Sequence, residues 1–363
     1  MKEKKYLLKN LYIYLSWNCN LSCKHCWVNY KNEQTINKVI SYEIIEKSIL
    51  ESIKLGLKNV KISGGEPLLY KKILKKIITL NTENNIFTSI ETNGLLLDED
   101  FTQFCVDKKV LICLSLDSTD EKTHNMQRNN SIAFNSTINA MNLLDKYDVP
   151  YNVTMSTFTA SDSEILKMKD LLSSHKARGL KINIIVKEGN AVDNYYFITD
   201  SVFSVSAKRM LEIYQTHCIR NDGIPTYIMV PYPYSGFFKR LSNKYNNCDY
   251  VYTGCNPLSL LSILPNGDVC LCADGHRNDM FLFGNVINDK IENIWNYSKN
   301  LINFRNQILY QLDGICRDCL AKNICYGGCR VVAYSQFGKV NAPHPICQEL
   351  ENEGLFFLKK RNG

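Results

Sequence analysis

Three cysteines near the N-terminus form the motif with the clearest chemical consequence: Cys19, Cys23 and Cys26, in the segment CNLSCKHC. A structural zinc site needs four ligands and disulfides form in pairs, so three thiols suit neither group. A 4Fe–4S cluster held by three thiolates leaves one iron free for a small molecule, and the spacing therefore favours an iron–sulfur cluster. Zinc remains the alternative, with His25 as a fourth ligand, although His25 stands between two of the cysteines.

The other cysteines are unevenly distributed. The chain has 15 cysteines in 363 residues, and most of the rest lie in residues 248–363. Dense cysteine in a reducing compartment indicates metal binding rather than disulfides, so we expect a second metal-binding region near the C-terminus. Three cysteines between the two regions match no motif. Cys105 and Cys218 are expected to be small buried residues, whereas Cys113 shares the inward face of a predicted strand with Ser115.

The segment SGGEP, residues 63–67, directly follows a predicted strand. Its glycines allow the backbone to approach a ligand closely and to offer unhindered N–H and C=O groups. Alone, Gly-Gly-Glu-Pro is a common turn. Because it follows the second strand of a chain whose first strand ends at C-x3-C-x2-C, we interpret it as a ligand-binding loop.

Short β-rich segments alternate with helical patterns up to about residue 220. Six strands are predicted at residues 11–16, 59–63, 86–91, 110–117, 151–156 and 181–186. Helical periodicity lies between them, at residues 41–56, 70–80, 134–147 and 162–175. A strand followed by a helix, repeated six times, predicts a parallel sheet with helices outside. Loops after the carboxyl ends of such strands are where α/β barrels place their chemistry.

One face of the predicted strands is repeatedly polar. Cys113, Ser115 and Asp117 share a face in the fourth strand, as Asn152 and Thr154 do in the fifth. A closed eight-stranded barrel fills its interior with branched apolar side chains. The polar face instead predicts an α/β fold with an incomplete, open barrel, a partial (β/α)6 TIM-like barrel whose inner wall lines a cavity.

Together, the cysteine triplet and SGGEP resemble the radical S-adenosylmethionine (radical SAM) superfamily. The resemblance implies that the triplet binds a 4Fe–4S cluster whose fourth iron takes the amino and carboxylate groups of S-adenosylmethionine. The cofactor-binding positions that it implies are Gly64, Gly65 and Glu66 at the methionyl amino group, the aromatic Trp27, Ser115 beside the cofactor, and Arg128 at the cofactor carboxylate. For Ser115 and Arg128, a core serine and a surface arginine are the alternatives.

The C-terminal segment CRDCLAKNICYGGC reads C-x2-C-x5-C-x3-C, and upstream cysteines read C-x11-G-x4-C. This arrangement resembles the SPASM extension of radical SAM enzymes, which carries two auxiliary 4Fe–4S clusters. The resemblance implies an outer cluster bound by Cys316, Cys319, Cys325 and Cys347, and an inner cluster bound by Cys255, Cys272 and Cys329. The inner cluster's fourth ligand is Cys248 or Cys270, or else its iron is open to a substrate thiolate. Strand alternation would point Cys270 away from Cys272.

These matches divide the chain into a radical SAM domain at residues 1–220, a connector at 221–246 and a SPASM domain at 247–363. In the last, periodicity fades, so metal ligation is expected to hold the domain together more than a large apolar core. Only 18 residues precede the triplet, which leaves no room for an N-terminal peptide-recognition domain. The net charge of +7 is scattered, so nucleic-acid binding is not expected. Without a run of roughly 20 apolar residues or a signal-peptide cleavage site, we expect a cytoplasmic protein that does not bind membranes.

The resemblance also implies a mechanism. A reducing partner such as flavodoxin or ferredoxin delivers an electron to the first cluster, S-adenosylmethionine is cleaved, and a 5′-deoxyadenosyl radical removes a hydrogen atom from the substrate. Asp117 and Asp274 are candidate bases, with ordinary turn residues as the alternative. The leading interpretation is maturation of a ribosomally made peptide by a thioether or carbon–carbon crosslink. A leader peptide would be recognised by the barrel rim, the connector or a separate protein.

Three other functions remain open. An anaerobic sulfatase maturase, which makes formylglycine, has an aspartate immediately after the counterpart of Cys272, where this chain has Ala273. A peptide epimerase is another possibility. A non-catalytic iron–sulfur or zinc scaffold belongs to a different class, and the density of motifs argues against it.

Overall fold

The computed structural model describes residues 6–28, 38–108, 110–196, 201–219, 223–231 and 256–359. The described strands are β1 (Asn10–Tyr14), β2 (Asn59–Ser63), β3 (Phe87–Thr92), β4 (Leu111–Ser115), β5 (Tyr151–Thr157), β6 (Leu180–Ile184), β7 (Thr226–Ile228), β8 (Leu260–Ile263), β9 (Asp268–Cys270) and β10 (Leu282–Asn285). They form one ten-stranded sheet in the order β10-β9-β8-β1-β2-β3-β4-β5-β6-β7. Since β7 and β10 lie at opposite ends of that order, the described strands form an open sheet, consistent with the predicted partial barrel.

Strands β1 to β6 are the six predicted strands, and each is confirmed with its ends shifted by at most two residues. They pair in parallel with their neighbours in chain order, so their carboxyl ends meet at one edge. Strand β1 ends at Tyr14 and β4 at Ser115, two residues earlier than predicted. Residues 15–16 and 116–117 therefore belong to loops at the carboxyl edge of the sheet, where α/β barrels place their functional residues.

Four of the helices that follow strands begin at side-chain caps. Ser41, Asp98, Asp120 and Ser161 each accept a hydrogen bond from a backbone N–H of the first helical turn. The helices before residue 220 are α1 (Tyr42–Lys54), α2 (Lys71–Glu83), α3 (Glu99–Val106), α4 (Glu121–Arg128), α5 (Ala133–Lys146), α6 (Asp162–Ser173), α7 (Ala191–Asn194) and α8 (Ala207–Ile213). Helices α3 and α4 were not predicted, because their eight residues each carry only a short apolar pattern.

The C-terminal region is more regular than predicted. Strand β8 pairs in parallel with β1, while β9 and β10 continue the sheet in antiparallel pairs. Its helices are α9 (Ile291–Tyr297), α10 (Lys299–Tyr310), α11 (Gly314–Asp318), α12 (Lys322–Cys325), α13 (Arg330–Phe337) and α14 (Pro345–Asn352).

The C-terminal region contributes to a large apolar core, in contrast to the expectation that metal ligation holds it together more than such a core does. Trp295, Phe304 and Phe281 are fully buried and belong to the same hydrophobic core as the barrel strands. Within the predicted connector, Thr226–Ile228 forms β7 and pairs with β6; residues 232–246 of it lie outside the described residues. One sheet and one core therefore cross the predicted domain boundaries.

The inner wall of the sheet is polar, as predicted. In β3, β4 and β5, fully buried residues alternate with half-buried ones, and the half-buried set is largely polar. Lys61 Nζ lies 3.3 Å from Glu91 Oε1 and 4.0 Å from the centre of the Tyr12 ring. Ser63 Oγ donates to Glu91 Oε2 at 3.0 Å. Lys61, followed by Lys181, holds the pKa of Glu91 at about 2 against the opposing effect of burial, so this wall is charged at neutral pH.

Of the helices in the described part of the chain, none combines the length and apolar character needed to cross a membrane.

Candidate active site

The cysteine triplet lies in the loop that follows β1, at the carboxyl edge of the sheet. The Cys19 thiol lies 3.4 Å from the Leu21 backbone N–H and 3.9 Å from Asn93 Nδ2. The Cys23 thiol is buried and lies 3.8 Å from Arg128 Nη1. Burial raises the pKa of Cys23, and the positive charge of Arg128 opposes that rise. Hydrogen-bond donors and a cation around two of the thiols favour their thiolate forms, which are the forms that bind metal.

A single metal ion does not suit this arrangement. Within the described residues, no three histidine, cysteine or acidic side chains converge closely enough to hold one ion. His25 Nε2 instead lies 3.8 Å from Asp117 Oδ2. Burial lowers the pKa of His25 to about 4, so its ring is neutral at pH 7. In an iron–sulfur cluster each thiolate binds a different iron, so the thiols need not converge, and the triplet fits that group.

Residues Gly64 to Glu66 pack directly against the backbone that leads into the cysteine loop. Gly65 N donates to Ser16 O at 2.7 Å, and Glu66 N donates to Asn18 O at 2.8 Å. A Cβ at Gly65 would lie 2.0 Å from Asn18 O, and one at Gly64, whose φ is +136°, would lie 2.4 Å from Ser16 O. The two glycines are therefore required for the loops after β1 and β2 to approach each other, independently of any ligand.

Glu66 joins three loops through its carboxylate. Oε1 accepts from Thr92 Oγ1 at 2.7 Å and from Leu68 N at 2.9 Å, and Oε2 accepts from Asn93 N at 2.9 Å. Burial raises the pKa of this carboxyl, and the hydrogen bonds oppose the shift. A carboxylate has about four acceptor positions, so roughly one remains on Oε2 for a cofactor amino group.

Asp117 and Arg128 form a buried ion pair next to Cys23. Arg128 Nη2 donates to Asp117 Oδ1 at 2.7 Å, and Nε lies 2.6 Å from Oδ2. Ser156 N also donates to Oδ1 at 3.0 Å. Burial raises the pKa of Asp117, but Arg128 and the neighbouring groups outweigh it and hold that pKa below the usual value. Asp117 is therefore a weak base in this site, and the geometry gives it the task of orienting Arg128.

The remaining predicted cofactor positions lie around the same loop. Ser115 is half-buried at the carboxyl end of β4 and pairs in register with Thr154. The Trp27 ring lies edge-on to Trp17, with centres 5.7 Å apart, and 6.0 Å from Tyr14. Apart from Arg128, which is the last residue of α4, the predicted positions of the first site belong to loops or strand ends at one edge of the sheet.

Residues that the sequence did not single out hold the cysteine loop in place. Asn190 N donates to Cys26 O at 2.8 Å, and Asn190 Nδ2 donates to Cys23 O at 3.1 Å. Gly189 has φ +57°, and a Cβ there would lie 2.4 Å from Cys26 O. Asn93 Nδ2 donates to Asn20 Oδ1 at 2.8 Å. Their only signal in the sequence is that Asn93 and Asn190 follow the third and sixth strands, at the chemical edge.

Several buried polar atoms near the triplet have no hydrogen-bond partner within the described residues, and they include Tyr195 Oη and His25 Nδ1. The Tyr195 ring stacks on Phe158 with centres 4.8 Å apart, and its pKa is raised to about 12 by burial and by the charges of Asp117 and Cys23. A polar ligand beside the cysteine loop would satisfy these atoms, so the surroundings fit a cofactor such as S-adenosylmethionine.

Aromatic side chains connect the cysteine loop to the loop of Cys272. His276 lies 5.5 Å from the centre of the Trp17 ring and 6.5 Å from that of Trp27. Arg277 Nη2 donates to Trp27 O at 3.2 Å. The two predicted metal-binding regions are therefore in direct contact at this edge of the sheet.

Two carboxyls lie at this contact, Asp274 on the exposed surface and Glu188 half-buried. Asp274, a predicted base, lies two residues after Cys272, and desolvation by the surrounding protein raises its pKa. Glu188 was not predicted; Ser335 Oγ, on α13, donates to its Oε1 at 3.0 Å. Burial, followed by the charge of Asp274, raises the pKa of Glu188 to about 7. Like Glu66, these two carboxyls retain their protons more readily than a solvated carboxyl does.

The outer auxiliary site is assembled in one place. Cys316, Cys319, Cys325 and Cys347 line a single recess, together with Gly327 and His344. The His344 backbone N–H lies 3.3 Å from Cys316 Sγ, and the Ala321 N–H lies 3.3 Å from Cys319 Sγ. Four cysteines around one recess, with N–H donors at two thiols, fit an iron–sulfur cluster.

The inner auxiliary site is described only in part. Cys248 and Cys255 lie outside the described residues. Cys272 and Cys329 border the main hydrophobic core, whereas Cys270 is fully buried in a separate cluster with Tyr14 and Trp17. Cys270 Sγ donates to Cys272 O at 3.2 Å. This placement agrees with the strand alternation and argues against Cys270 as the fourth ligand.

The three unassigned cysteines are not gathered into a further site. Cys105 and Cys218 are buried, as predicted. Cys113 is half-buried on the inner wall, where burial, followed by the charge of Glu91, raises its pKa to about 12.

Comparison with known proteins agrees with both parts of the site. Residues 13–172 match the radical SAM superfamily, and residues 255–320 match SPASM, an iron–sulfur cluster-binding domain. The chain is 23% identical over 336 residues to the cysteine-type anaerobic sulfatase-maturating enzyme of Clostridium perfringens, which covers 87% of this chain and 86% of that enzyme. It is 25% identical over 286 residues to the subtilosin biosynthesis protein AlbA of Bacillus subtilis, covering 78% of this chain and 58% of AlbA.

A solved structure shares the fold over nearly the whole chain. The crystal structure of Streptococcus suis SuiB bound to precursor peptide SuiA superposes with a TM-score of 0.73, covers 95% of this chain and 76% of SuiB, and is 19% identical. The cysteine triplet lies within the first matched segment, and the SPASM match begins at Cys255. The chain therefore belongs to the radical SAM superfamily, as a radical SAM enzyme with a C-terminal SPASM iron–sulfur domain.

Proposed function

We propose that the protein is a peptide maturase, which installs a thioether or carbon–carbon crosslink in a ribosomally made peptide. Family membership implies that the protein binds iron–sulfur clusters and S-adenosylmethionine. When bound, S-adenosylmethionine would supply a 5′-deoxyadenosyl radical able to take a hydrogen atom from an unactivated carbon. The task of this chain's own residues is to hold the cofactor and the peptide, to exclude water and to manage one proton.

The proposed roles follow the geometry of the first site. Cys19, Cys23 and Cys26 hold the cluster that binds the cofactor. The segment Gly64–Glu66 accepts the cofactor amino group, and Ser115 and Trp27 lie beside the cofactor. Arg128, oriented by Asp117, donates to the cofactor carboxylate with the N–H groups that Asp117 and Cys23 leave available. We assign Asp274, rather than Asp117, as the candidate base, because Asp117 is committed to Arg128.

The observation that carries the proposal is the contact between the two cysteine regions. Arg277 donates to the Trp27 carbonyl, and Ser335 donates to Glu188 on the loop after β6. A substrate that reacts at the first site therefore faces the SPASM region directly. A crosslink removes two hydrogen atoms from the substrate, so the second electron needs an acceptor, and the cysteines of the auxiliary sites would hold a cluster able to accept it.

The relatives support a peptide substrate. SuiB is described with its precursor peptide bound, and AlbA acts in the biosynthesis of the bacteriocin subtilosin. We infer three 4Fe–4S clusters, of which two are auxiliary, and a small reducing protein such as flavodoxin or ferredoxin as partner. A separate protein is our candidate for leader recognition.

The test begins with anaerobic purification. We expect about twelve irons per chain, corresponding to three four-iron clusters, and release of 5′-deoxyadenosine when S-adenosylmethionine and dithionite are added. The protein is then co-expressed with short cysteine-rich peptides encoded in neighbouring reading frames. A peptide that loses two hydrogen atoms and gains a crosslink supports the proposal, whereas an enzyme that leaves every such peptide unchanged contradicts it.

Formylglycine formation is the second candidate, favoured by the similarity to a sulfatase-maturating enzyme along most of both chains. In this chain Ala273 follows Cys272, and the acid comes one residue later. An aldehyde-reactive probe on a sulfatase-derived peptide separates the candidates, because formylglycine carries an aldehyde and a crosslink does not. Epimerisation changes no mass and is recognised by deuterium uptake from heavy water.

A further inference from the structure

A buried arginine, Arg330, lies beside the predicted outer auxiliary site and next in sequence to a cysteine of the predicted inner set. It immediately follows Cys329 of the inner set, and it is only 1% exposed. Its Nη1 donates to Val340 O at 2.9 Å and to Ala342 O at 2.6 Å, and its Nη2 donates to Gly327 O. All three partners are neutral carbonyls, and Nε has no partner within the described residues.

The positive charge of Arg330 has no carboxylate partner in the described part of the chain, where the arginines in ion pairs are Arg128, Arg209 and Arg317. A buried charge is costly unless an opposite charge is near. The groups whose ionised forms would attract the charge of Arg330 are the thiols of Cys316, Cys325, Cys329 and Cys347. Three of these thiols belong to the outer set and one to the inner set.

The loop between Cys325 and Cys329 is shaped around this arginine. Tyr326, Gly327 and Gly328 have φ values of +51°, +79° and +68°, three consecutive left-handed residues. A Cβ at Gly327 would lie 2.6 Å from Arg330 Cζ, and one at Gly328 would lie 2.8 Å from the His344 ring. Gly327 and His344 line the recess of the outer site. The glycines thus allow the guanidinium to lie directly behind the wall of that recess.

We propose that Arg330 is the internal counter-ion of both auxiliary clusters and sets their reduction potentials, the outer one more strongly. This inference rests on the proposed auxiliary clusters. One-electron reduction adds one negative charge to a cluster, so a fixed cation nearby stabilises the reduced form and raises the potential. Arg330 is a positioning and tuning residue, since it would act on the clusters through their ligands and need not touch the peptide.

The experiment measures the auxiliary clusters alone. The full chain with Cys19→Ala, Cys23→Ala and Cys26→Ala removes the first cluster, and dithionite with redox mediators supplies the electrons. Into this background Arg330→Gln and Arg330→Lys are introduced, and the reduced fraction is followed by electron paramagnetic resonance as the potential is varied. Arg305→Gln is the matched control, because Arg305 is also buried, donates to Trp295 O at 2.8 Å and has no predicted cluster cysteine of the described part of the chain among the groups that shift its pKa.

For Arg330→Gln we expect the ratio of reduced to oxidised cluster, at a given potential, to fall about tenfold at the outer site, which corresponds to about 59 mV for a one-electron couple. The inner site should shift in the same direction by less. Arg330→Lys, which keeps the charge, and Arg305→Gln should stay near the background value. An unchanged potential in Arg330→Gln, or an equal shift in Arg305→Gln, overturns the proposal.

Iron content decides the remaining outcomes. If Arg330→Gln loses iron while Arg330→Lys keeps it, the charge is needed to hold the thiolates and the proposal stands. If both variants lose iron equally, the shape of the side chain rather than its charge is responsible and the proposal fails.

The background variant should hold about eight irons, corresponding to two clusters. If it holds none, the cluster assignment itself fails, and Arg330 loses its role with it. Neither readout depends on the peptide substrate, so failure of the peptide proposal is detected separately.

Discussion

The Arg128 guanidinium contacts both oxygens of the Asp117 carboxylate: Nη2 lies 2.7 Å from Oδ1 and Nε lies 2.6 Å from Oδ2. Its Nη1 lies 3.8 Å from Cys23 Sγ. Asp117 was predicted as a base from its residue type and its place after β4. The pair changes that interpretation: the carboxylate fixes the plane of the guanidinium, which then presents its remaining N–H groups towards the cysteine loop.

Asp117→Asn and Arg128→Met should each destabilise the fold by about 3 to 5 kcal/mol, because either change leaves one buried charge without its partner. The double variant, Asp117→Leu with Arg128→Met, should recover much of that stability, since a buried pair replaced by apolar groups is often neutral. Its rate of 5′-deoxyadenosine release should nevertheless remain below a tenth of the parental rate, because the double variant lacks the cation that binds the cofactor carboxylate. Chemical denaturation and product assay measure the two effects, and parental cleavage by the double variant would refute the assigned role.

The ion pair of Asp117 and Arg128 also determines how stability and activity should depend on pH. The pKa of Asp117 is below its ordinary 3.8, so the stability that the pair contributes is present above that value and lost only as the pH falls through the still lower folded-state pKa. Asp117 is therefore ionised throughout the range from pH 6 to pH 8. Any step in the pH–activity profile in that range should also be present in the profile of Asp117→Asn.

Gly65 provides a test of the close approach between the first two loops. Gly65→Ala places a Cβ 2.0 Å from Asn18 O, and we expect a loss of about 3 kcal/mol of unfolding free energy, as for overpacked sites. Cofactor cleavage should fall with it, because the cysteine loop must move. Gly338→Ala is the control: φ is +69° and nothing lies within 4 Å of the new Cβ, so only the left-handed backbone costs about 1 kcal/mol. Equal losses in the two variants would show that steric contact is not the reason for glycine at position 65.

The ligands of the inner cluster can be separated by metal analysis. Cys270→Ala should keep the parental iron and sulfide content, because Cys270 is buried with Tyr14 and Trp17. Cys272→Ala, two residues along the chain, should lose up to about four irons. Both variants are reconstituted without oxygen and analysed side by side with Cys105→Ala, a buried cysteine outside the sites. Loss of iron from Cys270→Ala, with Cys105→Ala intact, would make Cys270 the fourth ligand.

Periodicity and strand order were sufficient to predict the six parallel strands and the edge at which the cysteine triplet and SGGEP lie. Local patterns could not predict that β8 pairs with β1, since Leu11 meets Leu261 only when the chain has folded. The three strands after residue 256 have only three or four residues each, which is too few for a repeating pattern to indicate a sheet.

The side chains that brace the site were missed for a different reason. Asn93 and Asn190 resemble ordinary turn residues in the sequence, and each acquires its role only because parallel strands bring distant loops to one edge. Glu188 was missed because its partner Ser335 lies on α13, 147 residues away. Contacts of this kind depend on the assembled fold and carry no local signature.

Glu188 gives a prediction with a definite sign. Its pKa is raised to about 7 by burial and by Asp274, with Ser335 and Arg277 acting in the opposite direction, so the folded chain holds a proton that the unfolded chain releases near pH 4.5. The associated stability is fully present below pH 4.5 and is lost as the pH rises through about 7. We therefore expect the melting temperature of the parent to fall between pH 5 and pH 8 by more than that of Glu188→Gln, which cannot ionise. Glu83 on α2 is exposed, so the melting temperature of Glu83→Gln should change with pH as that of the parent does. If the melting temperatures of Glu188→Gln and the parent fall in parallel, Glu188 ionises as freely in the folded protein as it does in the unfolded chain, and the prediction is wrong.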